Sequence, residues 1–335
     1  MSVLRPLRHM APASRGFSLI ELMVSLTLGL GIVLAISFVF LGSRQASRST
    51  DGLSRMQESA RTVFELMARE LREAGGTPCD NRPTIANVLN GFQTAPPAWW
   101  SDWSVALQGF EGNTAASGVV IGGATGERVN GTDAVTLKFV TDLSDLVVVS
   151  HDTANAVFTV NNSPHRVSAG DVVMACTYNQ GAIFEASSVA ASTISHATGI
   201  GASDNCSKGL GLATVCTSTG TTYAFKPGSR IGRLVAATWY VGNNGRVATG
   251  GRSLFRVSRA GVEEVAEGVQ NMQLSYLTTG GAAYVNAAAV ANWSDVVAIR
   301  VVLTLASGDT GVSTSADSRL QRDMTFTLNL RNHQS

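Results

Sequence analysis

The sequence lacks the residue groupings from which most enzyme sites are built. It contains no HExxH, GxSxG or phosphate-loop motif, and no histidine stands in a catalytic grouping. The five histidines are His9, His151, His165, His196 and His333. The four cysteines include no CxxC pair, so their spacing argues against a zinc site. We therefore expect a non-catalytic protein with no cofactor and no bound metal.

Charged residues are also scarce, at 15% of the chain, and the net charge is only +1. Since no basic stretch marks a nucleic-acid surface, we expect no nucleic-acid partner. Residues 1–16 contain three arginines and no acid, and the rest of the chain has 22 basic and 24 acidic residues, a net charge of −2. With 44% apolar residues, the chain is long enough to bury one large core or two small ones.

One long apolar run, residues 17–41, contains a single ionisable side chain, that of Glu21. A helix of this length spans about 37 Å, which is enough to cross a bilayer. The arginines before the run predict a cytoplasmic N-terminus and an exported remainder. A cleaved secretory signal is disfavoured because its apolar part is usually only about 7 to 15 residues long, and because no small-residue cleavage site follows near Leu41.

Glu21 needs an explanation, since a carboxylate in hydrocarbon is costly unless a partner neutralises it. The apolar run itself supplies no cation. Cleavage after Gly16 would create one, because the new amino group of Phe17 would come within reach of the Glu21 carboxylate of a neighbouring subunit offset by about one helical turn. An ordinary signal anchor with a stray glutamate is the alternative.

Residues 16–21, with the sequence Gly-Phe-Ser-Leu-Ile-Glu, resemble the cleavage and methylation motif of type IV prepilins. The resemblance implies that a prepilin peptidase cuts after Gly16 and methylates the new amino group of Phe17. It also implies that Glu21 supports both methylation and subunit docking. Residues 1–16 are then a leader peptide, and residues 17–41 are a transmembrane and filament-core helix.

The helix is expected to continue beyond the membrane, because apolar residues after position 41 recur at steps of three and four. This seam consists of Leu53, Met56, Ala60, Val63, Met67, Leu71 and Ala74. On another face, Arg61, Glu65, Arg69 and Glu73 follow at four-residue steps that favour weak ion pairs. Two glycines and a proline at positions 75, 76 and 78 end the helix, so that residues 42–76 form its amphipathic continuation.

Two glycines within the apolar run, Gly29 and Gly31, leave two interpretations open. Each lowers helix propensity by about 1 kcal/mol relative to alanine, which favours local melting when the helix enters a filament. Alternatively, small residues at these positions allow close helix packing in the membrane.

Residues 77–335 are predicted to form a β-rich head, so the fold class is α+β, with a long N-terminal helix packed on an antiparallel sheet domain. Residues 77–132 are expected to be a long irregular loop, in which Trp99, Trp100 and Trp103 form a small satellite core rather than a sugar- or partner-binding surface. β-branched runs predict strands afterwards. They lie at 134–140, 146–150, 156–160, 171–178, 182–187, 234–241, 253–257, 269–277, 296–306 and 324–330.

Three finer predictions concern this head. The sequence Asn-Asn-Gly at 243–245 predicts a tight hairpin turn between a strand at 234–241 and a run that starts at Arg246. The nearly continuous apolar stretch 296–303 is typical of a central strand buried on both faces. Residues 187–222, low in charge and rich in Ala, Ser, Thr and Gly, are interpreted as a disulfide-pinned insertion.

An exported head lies in an oxidising compartment, so Cys79, Cys176, Cys206 and Cys216 are expected to form two disulfides. Three connectivities are possible; we favour Cys206 with Cys216 and Cys79 with Cys176, and free buried thiols are the alternative. The acidic residues in the stretch 309–323 lack the spacing of a calcium loop, so a solvated loop is favoured over a calcium site.

Further motifs resemble the minor pilins called PilW. They are Leu-Arg-Glu-Ala-Gly at 71–75 followed by Cys79, Gly-Thr-Asp-Ala-Val-Thr-Leu at 131–137, Ser-Leu-Phe-Arg-Val at 253–257 leading to Gly-Val-Gln at 268–270, and Leu-Arg-Asn at 330–332. The resemblance implies a minor pilin that primes type IV pilus assembly or sits at the tip. A type II secretion pseudopilin of the J type is one alternative, and a membrane-anchored periplasmic enzyme or binding protein is another.

The partners implied by this resemblance are the prepilin peptidase, the other minor pilins, the major pilin and a tip adhesin, together with inner-membrane lipid. The implied location is the inner membrane, with a single pass, a cytoplasmic N-terminus and a periplasmic head. After assembly, the protein is expected in the filament or at its tip on the cell surface.

Overall fold

The computed structural model describes residues 16, 18–79, 83–141, 146–199, 204–308, 310 and 319–333. It consists of one long apolar N-terminal helix and mostly antiparallel β-sheets, as expected for the α+β class. The chain divides into two compact units, residues 1–51 and residues 52–335.

The helices and strands follow in this order. They are α1 (Leu19–Glu73), β1 (Thr84–Asn87), α2 (Asn90–Gln93), β2 (Leu107–Phe110), β3 (Ala134–Thr141), β4 (Val148–Asp152), β5 (Val157–Val160), β6 (Val172–Cys176), β7 (Gln180–Glu185), β8 (Ser188–Ala190), β9 (Thr193–Ser195), β10 (Arg230–Asn243), β11 (Arg252–Ser258), β12 (Gly261–Glu267), β13 (Val269–Thr278), β14 (Val296–Ala306) and β15 (Gln321–Asn329). Short 3-10 turns lie at Val247–Thr249, Ala287–Ala289, Trp293–Asp295 and Arg331–His333.

Helix α1 begins at Leu19 and ends at Glu73, one residue before Ala74, the last residue of the predicted seam. Gly75 has a φ of 74°, the left-handed conformation that commonly follows a helix, and the N–H of Gly76 donates to the carbonyl oxygen of Glu73 over 2.7 Å. Gly29 and Gly31 do not interrupt the helix. The observed end therefore follows from the glycines that the sequence places there.

The large sheet has the strand order β1-β7-β6-β10-β11-β12, with β3 paired to β10 and β2 paired to β3. Strand β10 organises it, because it pairs with β6 through its first residues, with β3 through its middle and with β11 through its last residues. The β1–β7 pair is parallel and the other pairs of this sheet are antiparallel. Two smaller antiparallel sheets have the orders β13-β14-β15 and β4-β5-β9-β8.

The largest core lies between the second half of α1 and the strands β3, β10, β13 and β14. Met56, Ala60, Val63, Met67 and Leu71 of the predicted seam are at most 4% exposed, so the seam is confirmed. Helix burial begins at Gly52, eleven residues beyond the end of the apolar run at Leu41. A second core gathers Phe158, Phe184 and Phe225 among the strands of the β4-β5-β9-β8 sheet and of β6 and β7.

The prediction of an irregular loop over residues 77–132 was wrong in part. Strand β1 lies beside β7, and β2 lies beside β3 in antiparallel register, with Leu107 opposite Leu137. Each of these strands has only four residues, and it is stabilised by pairing with a longer strand of the sheet. Such tertiary pairing overrides the weak strand preference of a short segment rich in turn residues.

The loop between β10 and β11 is longer than the predicted tight turn at 243–245. Strands β10 and β11 do pair, but β11 begins at Arg252, and Asn243 is opposite Arg252. The connection includes the 3-10 turn Val247–Thr249 and closes at Gly250, which has a φ of 96°. The Asn244 side chain donates to Ser253 Oγ over 2.8 Å and thereby holds this longer loop.

Strand β14 is central in its sheet, as predicted, but it is not buried on both faces. Ile299, Val301 and Leu303 face the core, whereas Arg300 is exposed between them. The Arg300 guanidinium lies 4.0 Å from the ring centroid of Tyr284, on the face away from the core. Strands β8, β9 and β12 were not predicted, and β12 has four exposed residues at its start.

Candidate functional site on the N-terminal helix

The first half of α1, up to Leu41, presents a largely apolar surface in which Glu21 is the single charged side chain. Every residue from 18 to 48 is exposed, including Leu22, Val33 and Phe40. An 18-residue window of this helix has a mean hydropathy of 2.5 and no buried residue, so by length and composition it is able to cross a membrane. An exposed apolar surface of this extent is typical of an interaction site for a membrane or another protein.

Glu21 is the third residue of α1 and is exposed. A carboxylate in the first turn is favoured by the partial positive charge of the helix N-terminus. The carbonyl oxygen of Glu21 accepts a hydrogen bond from Ser25 Oγ at 2.7 Å. None of the ion pairs found among the described residues includes Glu21. Phe17 lies outside the described residues, so its pairing with Glu21 stays a prediction.

Gly16 is exposed, and a Cβ atom added to it would meet no atom within 4 Å. The same is true of Gly29, Gly31 and Gly42 in α1. The fold of the described residues therefore sets no steric requirement for glycine at these four positions.

Two polar contacts of Glu70 and one aromatic contact of Phe64 join the second half of α1 to the sheets. The Arg256 guanidinium lies 2.9 Å from Glu70 Oε1, and each side chain is 18% exposed. Trp239 Nε1–H donates to Glu70 Oε2 over 2.8 Å. The rings of Phe64 and Phe326 stack with 4.0 Å between their centroids. Sequence analysis missed these contacts because the partners are far apart along the chain.

The end of α1 is also held by the C-terminal part of the chain. Asn332 Nδ2 donates to the carbonyl oxygens of Glu73 and Ala74 over 3.2 and 3.3 Å. The Gly75 N–H donates to the Lys138 carbonyl oxygen over 2.9 Å. Together these bonds satisfy carbonyl oxygens that a helix end leaves unpaired and attach the helix end to β3.

The four cysteines form two disulfides, Cys79 with Cys176 and Cys206 with Cys216. These are the two pairs favoured from the sequence. The first joins the segment after α1 to the last residue of β6 across 97 residues, and the second closes a short loop within the stretch 187–222. Both bonds restrain the unit formed by residues 52–335.

The predicted tryptophan cluster packs as a satellite core. Trp100 and Trp103 are half-buried against a cluster that includes Leu89 and Met174. The Arg259 guanidinium lies 4.7 Å from the centroid of the Trp100 ring. Trp99 is also half-buried, and its indole lies against Gly118.

His151 and His196 form a pair that sequence analysis did not find. Their Nε2 atoms are 2.9 Å apart, and the His151 ring stacks on Phe158 at 4.0 Å between ring centroids. The Phe225 N–H donates to His151 Nδ1, so His151 carries its proton on Nε2 and donates to His196. Burial lowers the pKa of His151 to about 4 and that of His196 to about 3. Both rings are neutral at pH 7, and they pack in the second core.

Two charged residues, Arg128 and Asp133, are buried in the structure, and no pattern in the sequence indicated it. Arg128 is fully buried, and its guanidinium donates to the carbonyl oxygens of Thr132 and Glu111. Asp133, which is 4% exposed, accepts a hydrogen bond from the Leu274 N–H at 2.8 Å. Burial raises the pKa of Asp133 to about 6. These groups connect β13 to the start of β3 and to the loops beside it.

Among the described residues, no group of three or more potential ligands is placed to hold a metal ion. The stretch considered for calcium lies mostly outside the described residues, at 309 and 311–318. Asp323 is described, and its carboxylate accepts a hydrogen bond from Thr304 Oγ1 at 2.6 Å across the β14–β15 pair. Comparisons of the chain with protein-family models, with curated proteins and with solved structures find no match.

Proposed function

We propose that the protein is a non-catalytic minor pilin of a type IV pilus, of the PilW kind, which primes assembly or sits at the tip. One observation carries the proposal: an apolar, fully exposed helix with a single carboxylate at Glu21 directly follows the Gly16–Phe17 junction and continues into a helix packed on β-sheets. A plain anchor needs neither the carboxylate nor the extension.

The division of α1 supports this proposal. Its second half buries a regular seam and forms the Glu70–Arg256 ion pair, so that half belongs to the head. Its first half has no buried residue from 19 to 41. In the proposed function this apolar half lies in the inner membrane before assembly and among the helices of neighbouring pilins afterwards.

Gly16 is the site of the proposed processing step. A Cβ at this position meets no described atom within 4 Å, so the described chain sets no need for glycine there, whereas a peptidase that approaches the backbone closely would. In the proposed function it is the prepilin peptidase, which cuts after Gly16 and methylates Phe17. The mature subunit would then dock on other minor pilins and the major pilin, with a tip adhesin as a further partner.

The direct test is mass spectrometry of pili sheared from the native cells. A protease that cleaves after glutamate releases residues 17–21 with a methylated amino group if processing occurs, and residues 1–21 if it does not. We expect the short methylated peptide, together with peptides of the head at a small fraction of the major pilin. An intact leader in pili, or the absence of the chain from pili that contain other minor pilins, contradicts the proposal.

A further inference from the structure

The central strand β10 has a gap in its pairing on one side. On that side, β6 pairs with β10 as far as Arg233, and β11 begins its pairing at Ala237. Strand β3 pairs with both of these residues from the other side of β10. Among the described strands, Leu234, Val235 and Ala236 therefore pair with β3 alone. We call the open place beside these three residues the sheet gap.

A cleft of about 490 Å³ lies at the sheet gap, within the range of ligand sites, about 300 to 1,000 Å³. Its walls come from parts of the chain that the structure describes without a break, namely residues 170–172 at the start of β6, residues 233–236 of β10, and residues 256 and 258–260 at the end of β11 and in the turn after it. Arg233 and Arg259 are exposed, and Val235 is half-buried although it lies in the central strand. The cleft is thus accessible from solvent.

The main chain of β10 offers hydrogen-bonding groups to the gap. Thr141 Oγ1 donates to the Arg233 carbonyl oxygen over 3.1 Å and accepts from the Arg233 N–H at 3.3 Å, so the main-chain groups of Arg233 face β3. Successive residues of a strand direct these groups to alternate sides. Leu234 and Ala236 therefore direct theirs to the gap, where no described strand stands opposite them. These are the groups to which an added strand bonds.

Arg259 spans the gap on one face of the sheet. Its guanidinium donates to the Gly170 carbonyl oxygen over 2.7 Å and to the Glu185 carboxylate, and it lies over the Trp100 ring. Trp100 packs in the same cluster as Leu234, so this bridge lies on the face to which the Leu234 side chain points. The bridge fixes both ends of the gap before a ligand arrives, which limits the conformational entropy that binding costs.

Arg233 is the cation on the opposite face. Its side chain shares that face with Val235, two residues further along the strand, which packs towards the main core. The described residues give the guanidinium only one long contact, 4.0 Å to Asp171 Oδ2, and no hydrogen bond. The same Asp171 oxygen accepts from the Ser168 N–H at 2.9 Å. The other two arginines of the cleft are held in ion pairs with glutamates. Arg233 is therefore the group suited to bind a ligand carboxylate through two parallel hydrogen bonds.

We propose that the sheet gap binds an extended peptide segment of another protein that carries an acidic side chain. The segment continues the sheet along β10 for about three residues, a length of about 10 Å, and its carboxylate pairs with Arg233. A small oxyanion such as phosphate only accepts hydrogen bonds, so it uses Arg233 but supplies no donor to the main chain of β10. An extended peptide supplies donors and acceptors in alternation, which matches both features of the gap.

The test uses the full chain in lipid nanodiscs and two pools of hexapeptides with blocked ends. One pool has glutamate at the third position and the other has glutamine there, and the remaining positions vary among valine, threonine and serine. Binding is measured by saturation-transfer NMR. We expect members of the glutamate pool to bind with a Kd of about 100 μM, and the glutamine pool to bind at least about tenfold more weakly. No binding of the glutamate pool at about 1 mM, or equal binding of the two pools, overturns the proposal.

Two variants and a modified peptide locate the binding. Arg233→Gln removes the cation and should bind glutamate and glutamine peptides equally, with an unchanged melting temperature because the side chain is exposed. Arg230→Gln is the matched control, since Arg230 is an exposed arginine of the same strand outside the lining of the cleft, and it should keep the preference for glutamate. N-methylation of the peptide bonds on both sides of the glutamate removes main-chain donors and should weaken binding at least about tenfold.

Three outcomes contradict the proposal even when a peptide binds. A preference for glutamate that persists in Arg233→Gln, or that disappears in Arg230→Gln, places the peptide elsewhere on the chain. Full binding of the N-methylated peptide means that it does not pair with β10. Displacement of the peptide by glutarate or phosphate, at a concentration equal to that of the peptide, assigns the cleft to a small oxyanion instead.

Discussion

At Glu21, a lone carboxylate stands among exposed apolar side chains at the start of α1. We expect Glu21→Ala to leave inner-membrane levels normal while few or no surface pili form. In the proposed filament, the substitution leaves the Phe17 ammonium of a neighbouring subunit without its partner, and breaking one side of a buried ion pair costs about 3 to 5 kcal/mol. That is a loss of about a hundredfold or more in docking. Pilus yield after shearing and blotting of membranes measure the two effects.

Two variants control for this effect. Glu21→Gln should fall between wild type and Glu21→Ala, because it keeps a hydrogen-bond acceptor but no charge. Asp51→Ala removes another exposed carboxylate of the same helix, beyond the apolar run. Cells with this variant should form the normal number of surface pili. Full piliation with Glu21→Ala, or the same loss with Asp51→Ala, contradicts a docking role for this carboxylate.

Gly16 permits a second prediction at the residue scale. We expect Gly16→Trp to block cleavage, because a side chain there obstructs the approach of a peptidase to the backbone. Gly42→Trp is the matched control, since neither position contacts other described atoms. N-terminal sequencing of the membrane-bound protein distinguishes the intact leader from a chain that starts at Phe17. Normal processing of Gly16→Trp would contradict the requirement for glycine at the cleavage site.

At the scale of the element, the spacing of apolar residues was enough to predict helix α1 and its buried face. It was not enough to predict which residues that helix contacts. The three- and four-residue spacing predicted the buried face of α1 from Met56 to Leu71, because a helix has only one face that such a pattern can bury. Strand runs were predicted where β-branched residues cluster. The pattern could not reveal β1 and β2, whose pairing partners lie elsewhere in the chain, nor the Glu70–Arg256 bond, whose partners are 186 residues apart.

The His151–His196 pair makes the β4-β5-β9-β8 sheet sensitive to acid. Both folded pKa values lie below the ordinary value of 6.5, so the neutral pair contributes its stability above pH 6.5. As the pH falls towards 4, the unfolded state binds protons that the folded pair does not, and stability is lost. At pH 5 this amounts to up to about 2 kcal/mol for each histidine.

Amide hydrogen exchange of β4, β5 and β9 at pH 7 and pH 5, corrected for the intrinsic rates, measures this loss. We expect faster opening of these strands at pH 5, whereas β13 and β14 should change less. A variant with both His151→Gln and His196→Gln should lack the difference, because glutamine does not titrate. Equal protection of the wild-type strands at both pH values would contradict the assigned cause.

At the scale of the whole molecule, the two disulfides should contribute unequally. In the chain-entropy account, closing a loop of about 100 residues stabilises by about 4.7 kcal/mol, and closing one of about 10 residues by about 2.7 kcal/mol. The Cys79–Cys176 pair is separated by 97 residues and the Cys206–Cys216 pair by 10. Replacing Cys79 and Cys176 by serine should therefore lower the free energy of unfolding more than replacing the other pair. Urea unfolding of the two double variants tests the order, and the reverse order contradicts it.

The α+β class could be predicted from the sequence, because composition and periodicity restrict it. The sequence left three disulfide connectivities open, and the structure has the favoured one. The interior polar groups could not be predicted. Arg128 donates to backbone carbonyl oxygens, and Asp133 accepts from the backbone of a strand 141 residues away. Any residue provides such backbone partners, so they leave no signal in the pattern of side chains.

The bond from Asn332 to the end of α1 has a consequence for the order in which the fold is completed. Asn332 follows Glu73 by 259 residues along the chain. Leu330, fully buried, belongs to the same core as Met67. The buried face of α1 therefore stays incomplete until these late residues are present. In the proposed export, a chain halted before them would carry a partly uncovered apolar helix face.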